Sequence, residues 1–294
     1  MTAQLIDGRA ISRTIRQEVQ ASAAAFAVQH GTPPTLAVVW AGADAASERY
    51  TREIRRDFER RGLAVREFPL SESTPERDLI ALLESLGLDH SVHGVLVQTP
   101  LPKHMDVERV SLAIPVRKDV DGVHPVNAGF LFGNSGHTLV PATPAGGIEL
   151  LDRIGVSARG KRAVIVGRSP NVGKPMAILL LHRNATVTIC HSHTERLAEV
   201  VAEAEILVAA TGVPHLVKGE WLRPGVVVVD FGFNVVDDKP VGDVDFESAV
   251  KRAAAITPVP GGTGPMTVAM LMRNTLLAAQ HLIPGPYPSE NGYS

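Results

Sequence analysis

Between two patterned stretches the chain reads Gly167-Arg168-Ser169-Pro170-Asn171-Val172-Gly173-Lys174-Pro175. An apolar run ends just before it and a helical pattern starts just after it. A strand, a glycine turn and a helix start, in that order, aim backbone N–H groups and the positive end of a helix at an anion. Pro175 suits a first helical turn, where the missing N–H has no helical partner. The spacing is not G-x-G-x-x-G, so on spacing alone an ordinary strand–helix turn competes with a phosphate site. The neighbouring side chains sharpen the choice. Arg168 and Ser169 offer a cation and a hydroxyl where a ribose 2′-phosphate would lie. The next strand ends His191-Ser192-His193-Thr194, without the acid that commonly binds a free 2′-hydroxyl. These residues point to NADP rather than NAD.

Other polar residues sit where chemistry is possible. Gln98 ends an apolar run, Asp121 opens an Asp-Gly pair, Tyr50 lies in a charged helical segment, and Pro260-Gly261-Gly262 forms a compact loop. Taken singly, each also reads as structure: a polar strand end, a turn aspartate, a ring packed on a core, a tight loop. The eleven histidines form no metal-ligand spacing, and His191-x-His193 is the nearest approach. No Gly-x-Ser-x-Gly elbow, Walker loop or catalytic Cys–His pattern is present.

The elements that must position these residues alternate. Residues 10–29 carry Ile11, Ile15 and Val19 at helical spacing. Then come a strand at 35–40, a charged helix at 45–61, a strand at 64–68, a helix from Pro75 to Gly87 and a buried strand at 94–98. The pattern restarts after Pro141, with strands at 163–166, 185–190, 206–210 and 226–230, helices from Lys174-Pro175 and at 195–203, and a long final helix at 265–282. Repeated strand–helix alternation implies parallel sheets covered by helices, an α/β class.

Composition excludes several functions. The chain has 294 residues, 45% apolar, and a formal net charge of −2, which gives no electrostatic case for nucleic acid or an anionic membrane. The cluster Arg55-Arg56 and Arg60-Arg61 is broken by Asp57 and Glu59 and reads as a solvated helix face. The single cysteine, Cys190, ends a strand pattern and reads as a buried thiol. No secretory signal or membrane span is apparent, so the expectation is a cytoplasmic protein.

Four segments together resemble the methylenetetrahydrofolate dehydrogenase/methenyltetrahydrofolate cyclohydrolase family. They are Tyr50-Thr51-Arg52-Glu53-Ile54, Val97-Gln98-Thr99-Pro100-Leu101-Pro102, Lys118-Asp119-Val120-Asp121-Gly122 and Thr257-Pro258-Val259-Pro260-Gly261-Gly262. The resemblance runs from Ile6-Asp7-Gly8 to Asn274 and includes the Gly167–Pro175 turn. It implies an N-terminal α/β folate domain (1–141), a Rossmann-like NADP domain (142–264) with a cleft between them, and a helix (265–282) packing back on the first domain. Residues 283–294, rich in Pro and Gly, are expected to be disordered. It further implies a tetrahydrofolate-derivative substrate and pairing into a homodimer. Asp121 matches the carboxylate that holds the pterin, Tyr50 the ring that packs on it, and Gln98, Pro100, Leu101, Pro260, Gly261 and Gly262 the rest of the folate site. Gly167, Arg168, Ser169, Val172, Gly173, Pro175, His191, Ser192, His193, Thr211, Gly212, Asp230 and Gly232 make up the cofactor site. His193 stands where the family often has Arg or Lys, which weakens the phosphate grip or makes it pH-dependent.

The departures from the family pattern matter as much. Ile54 stands where the family carries a lysine, one helical turn after the tyrosine. Ala142, Thr99 and Thr263 replace a usual Cys, Leu and Val. Hydride loss from a methylene carbon needs orientation, because the cofactor supplies the chemistry. Hydrolysis of the resulting cation needs water activation and proton delivery, where acid–base help is worth about 10²–10⁴-fold. Arg52 and Arg55 are rotated away from position 54 and stay charged. The expectation is an NADP-dependent dehydrogenase with weak or absent cyclohydrolase activity. A conventional bifunctional enzyme, a non-catalytic folate or NADP binder, and a dehydrogenase of amino or shikimate-like acids are the competing readings.

Overall fold

The computed structural model describes residues 3–42, 45–135 and 139–282, so the expected disorder of 283–294 lies outside the described residues. In chain order the elements are β1 (Gln4–Leu5), α1 (Gly8–His30), β2 (Thr35–Ala41), α2 (Ala45–Glu59), β3 (Ala64–Leu70), α3 (Glu76–Leu88), β4 (Gly94–Val97), α4 (Val107–Ala113), α5 (Pro125–Phe132) and α6 (Ala142–Arg153). They continue with β5 (Arg162–Val166), α7 (Gly173–His182), β6 (Thr186–Cys190), α8 (Leu197–Ala202), β7 (Ile206–Ala209), β8 (Val227–Asp230), β9 (Asn234–Val236), β10 (Lys239–Val241), α9 (Phe246–Ala249), β11 (Ala255–Ile256) and α10 (Gly264–Leu282). The contacts divide the chain into two compact units. One comprises the chain up to Val19 with residues 120–273, and the other residues 20–119 with the chain from Asn274. Both α1 and α10 therefore contribute residues to each unit.

The smaller unit holds a three-stranded parallel sheet in the order β3-β2-β4. All seven residues of β2 are buried, as a central strand covered on both faces requires. Helix α2 follows β2, and its buried side chains Ser47, Thr51, Ile54 and Phe58 recur at helical spacing. Lys118 is 4% exposed and donates from Nζ to the carbonyls of Leu86 and Asp89, each at 2.8 Å. It satisfies carbonyls left open at the end of α3, while burial pushes its ammonium below the ordinary lysine range.

The larger unit holds a six-stranded sheet in the order β1-β11-β8-β7-β5-β6, every neighbour pair parallel, with a small β9–β10 hairpin beside it. Its first long strand, β5, has β6 on one side and β7 on the other. The strand order thus reverses at β5, and ligands of open α/β sheets bind beyond the strand C-termini at such a switch point. Val164, Val166, Leu207, Ala209, Val228 and Ile256 build the core on one face, and Ala163, Ile165, Val208 and Val229 that on the other. Each strand alternates between the two cores.

The patterned helices and strands lie within a few residues of their predicted bounds. Periodicity in the sequence does not mark α4, α5, α6, the β9–β10 hairpin, α9, β1 or β11. Most are short, and β1 gains a pairing partner only through β11, some 250 residues away in sequence.

Candidate active site

In the larger unit the glycine turn sits at the switch point. Gly167 N–H donates to the carbonyl of Cys190 at 2.9 Å and Ala210 N–H to that of Val166 at 2.8 Å, tying together the chain ends beyond β5, β6 and β7. Gly167 has φ +129°, and a Cβ there would meet Ala210 O at 2.1 Å. A Cβ on Gly173 would meet Gly167 O at 2.3 Å. Both glycines are therefore required by close backbone approach and, at 167, by the left-handed conformation. Ser169 Oγ accepts from the N–H groups of Val172 and Gly173 at 3.2 Å each. Pro175 falls in the first turn of α7 and is buried. Arg168 and Ser169 are exposed, and the loop after β6 exposes Ser192 and His193 beside them on the same sheet edge. His191 Nδ1 accepts the His193 N–H at 3.2 Å, and the two rings lie 6.0 Å apart. Cys190 is fully buried, and burial pushes its thiol up.

Beyond β7 and β8 the expected residues Thr211, Gly212, Asp230 and Gly232 are held together by Asp243, which the sequence did not disclose. Asp243 is fully buried, and its Oδ2 accepts from the N–H groups of both Thr211 and Gly212. Its Oδ1 accepts from Asn234 Nδ2 at 3.0 Å. Asp230 Oδ1 accepts from the N–H groups of Gly232 and Asp243, and Oδ2 from that of Val244. Burial pushes the Asp230 carboxyl up to about 6, although those three N–H donors favour its charged form. Thr263 Oγ donates to Asp230 O at 2.9 Å, and Thr257 Oγ accepts from Asp230 N–H at 2.8 Å. A Cβ on Gly232 would meet Asp243 Oδ1 at 2.3 Å, and one on Gly242 would meet Asp230 Oδ2 at 2.0 Å. Asp243 lies in a segment that also holds Asp237, Asp238, Lys239 and Asp245, so nothing local in the sequence singled it out.

The loop at Pro260, Gly261 and Gly262 belongs to this unit and packs near the start of α1. A Cβ on Gly8 would meet Gly262 O at 1.7 Å, and one on Gly261 would meet Arg9 Nε at 3.2 Å. The peptides preceding Pro100 and Pro260 are cis. Asp121 is half-buried, and the Gly122 after it has φ +66° with its Cβ position 2.5 Å from Pro141 N.

The smaller unit places Tyr50, Ile54, Gln98, Pro100 and Leu101 around the C-terminal edge of its sheet and on α2. Tyr50 is half-buried and Ile54 is 0% exposed. Gln98 N–H donates to Val39 O at 2.9 Å, which fixes the residue just past β4, and the side chain is 7% exposed. Its Nε2 donates to Thr51 Oγ, and that hydroxyl donates to Ser47 O at 2.9 Å.

Residues so arranged suit a dinucleotide at the six-stranded sheet edge: a glycine cradle for pyrophosphate, with Arg168, Ser169 and Ser192 within reach of a further phosphate. A cavity of about 180 Å³ lined by Lys161, Glu205 and Arg223 lies at the opposite, N-terminal edge of that sheet, away from these residues. Among the described residues no group of three or more His, Cys, Asp or Glu side chains gathers as a metal site, and no helix is long and apolar enough to cross a membrane.

Two family models match successive parts of the chain. Residues 6–121 match the model of the tetrahydrofolate dehydrogenase/cyclohydrolase catalytic domain, and residues 141–283 that of the same family's NAD(P)-binding domain. The bifunctional protein FolD of Roseiflexus sp. (strain RS-1) is 52% identical over 95% of this chain and 97% of that protein. The crystal structure of the bifunctional methylenetetrahydrofolate dehydrogenase/cyclohydrolase FolD from Campylobacter jejuni superposes with a TM-score of 0.93 at 39% identity, covering 96% of this chain and 100% of that one. The Trypanosoma brucei methylenetetrahydrofolate dehydrogenase-cyclohydrolase, complexed with NADP and an inhibitor, gives 0.91 at 37%, covering 96% and 98%.

Proposed function

Since the chain belongs to the tetrahydrofolate dehydrogenase/cyclohydrolase family, we propose that it oxidises 5,10-methylenetetrahydrofolate with NADP and hydrolyses the methenyl product to 10-formyltetrahydrofolate. The observation that carries this reading is the 52% identity, over nearly the full length of both chains, to a protein named bifunctional. That likeness supports the bifunctional alternative better than the dehydrogenase with weak or absent hydrolysis that Ile54 alone favoured.

The cofactor, when bound, supplies the hydride acceptor. The Gly167–Gly173 turn and the start of α7 would hold its pyrophosphate, and Arg168, Ser169, Ser192 and His193 would hold the 2′-phosphate. Asp121 accepts from the donor edge of the pterin, and Tyr50 packs on its ring. In hydrolysis, water adds its oxygen to the methenyl carbon and loses a proton. The hydroxyl so formed then gives up its remaining proton as the C=O bond forms, one carbon–nitrogen bond breaks with its electron pair going to nitrogen, and that nitrogen takes up one proton, so one proton is released overall. Gln98 lies at the strand end where an amide can orient that water.

A second reading stays in view because Ile54 cannot carry a proton: a dehydrogenase that releases the methenyl compound. One experiment separates the two. Purified protein is given methylenetetrahydrofolate with NADP or NAD, then preformed methenyltetrahydrofolate alone, and NADPH and the methenyl absorbance are followed independently. Enzyme-dependent decay of the methenyl compound supports the bifunctional reading, and accumulation with decay at the buffer rate refutes it. Pairing of two copies is the expected assembly, read by sedimentation.

A further inference from the structure

The orientation of Gln98 depends on a residue that the family resemblance does not assign. Thr51 lies one residue after Tyr50 on α2 and is 1% exposed. Its hydroxyl has one proton, and that proton is directed at Ser47 O, 2.9 Å away in the preceding turn. The oxygen is left as an acceptor, and Gln98 Nε2 donates to it. A flipped amide would either face oxygen to oxygen or take the hydroxyl proton away from Ser47 O, so the chain Gln98–Thr51–Ser47 favours one of the two amide orientations. In that orientation Nε2 is the end of the amide held by α2, and Oε1 carries no hydrogen bond among the described residues. Gln98 thus presents an acceptor whose direction is fixed by a buried hydroxyl.

We propose that Thr51 is the positioning residue for hydrolysis, holding Gln98 so that Oε1 accepts a hydrogen bond from the water that attacks the methenyl carbon. The inference rests on the bifunctional reading and deepens it. It gives the fully buried Ile54 a purely packing role and moves water orientation to the neighbouring Thr51–Gln98 pair. Hydride transfer needs the carbon placed but no water oriented, so the two half-reactions should respond differently to loss of the hydroxyl.

The test compares Thr51→Val, which keeps the shape and removes the hydroxyl, with Thr51→Ser, which keeps the hydroxyl. Hydrolysis of methenyltetrahydrofolate and reduction of NADP are measured separately, and the Gln98 side-chain amide signals are followed by NMR. The expected result in Thr51→Val is a fall of about tenfold or more in kcat for hydrolysis, since one hydrogen-bonded orientation is worth about that factor. Hydride transfer should stay within about threefold, and the protected Gln98 amide signals should broaden or shift. Thr51→Ser should restore both the signals and hydrolysis. Unchanged hydrolysis in Thr51→Val overturns the proposal, as does an equal fall in both half-reactions or a Thr51→Ser variant as defective as Thr51→Val. An unmodified protein that reduces NADP but does not hydrolyse would overturn it while leaving the dehydrogenase standing. A protein that does neither would refute the proposed function itself, and this inference with it.

Discussion

Asp243 gives its backbone N–H to one carboxylate oxygen of Asp230 at 3.1 Å, while its own carboxylate holds the N–H groups of Thr211 and Gly212 beyond the next strand. Two buried acids thereby link the loops beyond β7 and β8. The N–H groups of Thr211 and Gly212 are thereby spent on the Asp243 carboxylate. Gly232 and Gly242 are needed because the two carboxylates occupy the space of their side chains.

This arrangement has a pH signature. The folded carboxyl of Asp230 is raised from 3.8 to about 6, mainly by burial. The folded state therefore binds its proton more tightly than the unfolded chain does. The resulting stabilisation is fully present below about pH 4 and is lost as pH rises through about 6, on the order of 3 kcal/mol in all. Denaturant midpoints of the unmodified protein and Asp230→Asn, measured between pH 4 and 7.5, should differ by an amount that changes in this window. A constant difference would show that Asp230 does not titrate there.

A glycine in the nucleotide turn gives a second expectation. In Gly167→Ala the Cβ would collide with Ala210 O and force a left-handed alanine. The turn must move, so NADP binding should weaken at least about tenfold, with a stability loss of about 1–3 kcal/mol. Isothermal titration and thermal unfolding would read both. Unchanged NADP affinity would separate this turn from the pyrophosphate.

The site was legible in the sequence where backbone geometry demands a residue type. Gly167, Gly173 and Pro175 stood out because a strand–turn–helix cradle has few solutions. The alternation of apolar runs disclosed the two parallel sheets for the same reason. Asp243 and Thr51 were not legible. Their partners, Thr211 and Gly212 in one case and Gln98 in the other, lie some 30 to 50 residues away, and no periodicity links them. Lys118, inside a quoted motif, is explained by α3 carbonyls near residues 86–89. Short motifs report local conformation well, and long-range hydrogen bonds hardly at all.

Cofactor choice should respond to Arg168. The side chain is exposed beside Ser169, on the same edge as Ser192 and His193. Arg168→Ala should raise KM for NADP about tenfold or more, since a charged hydrogen bond to phosphate contributes roughly 1.5–3 kcal/mol. KM for NAD, which lacks that phosphate, should move less than about threefold on the same argument. Equal changes for both cofactors would place Arg168 on the pyrophosphate instead.

Ile54→Lys tests both stability and chemistry at the position where the family has its lysine. Ile54 is 0% exposed on the buried stripe of α2, between Thr51 and Phe58. An ammonium introduced there must reach water or lose its proton. The variant should be less stable by about 1–3 kcal/mol at pH 7. The sign of the pH dependence follows from burial. A lysine whose folded pKa is lowered makes the folded state bind its proton less tightly than the unfolded chain does. The deficit should therefore shrink as pH rises toward about 10. If Thr51 and Gln98 orient the water, added lysine should change hydrolysis by less than about threefold, because the step already has its organiser. A gain of about a hundredfold, within the usual range for acid–base help, would mean that the unmodified enzyme lacks a proton carrier. The dehydrogenase-only reading would then replace the bifunctional one.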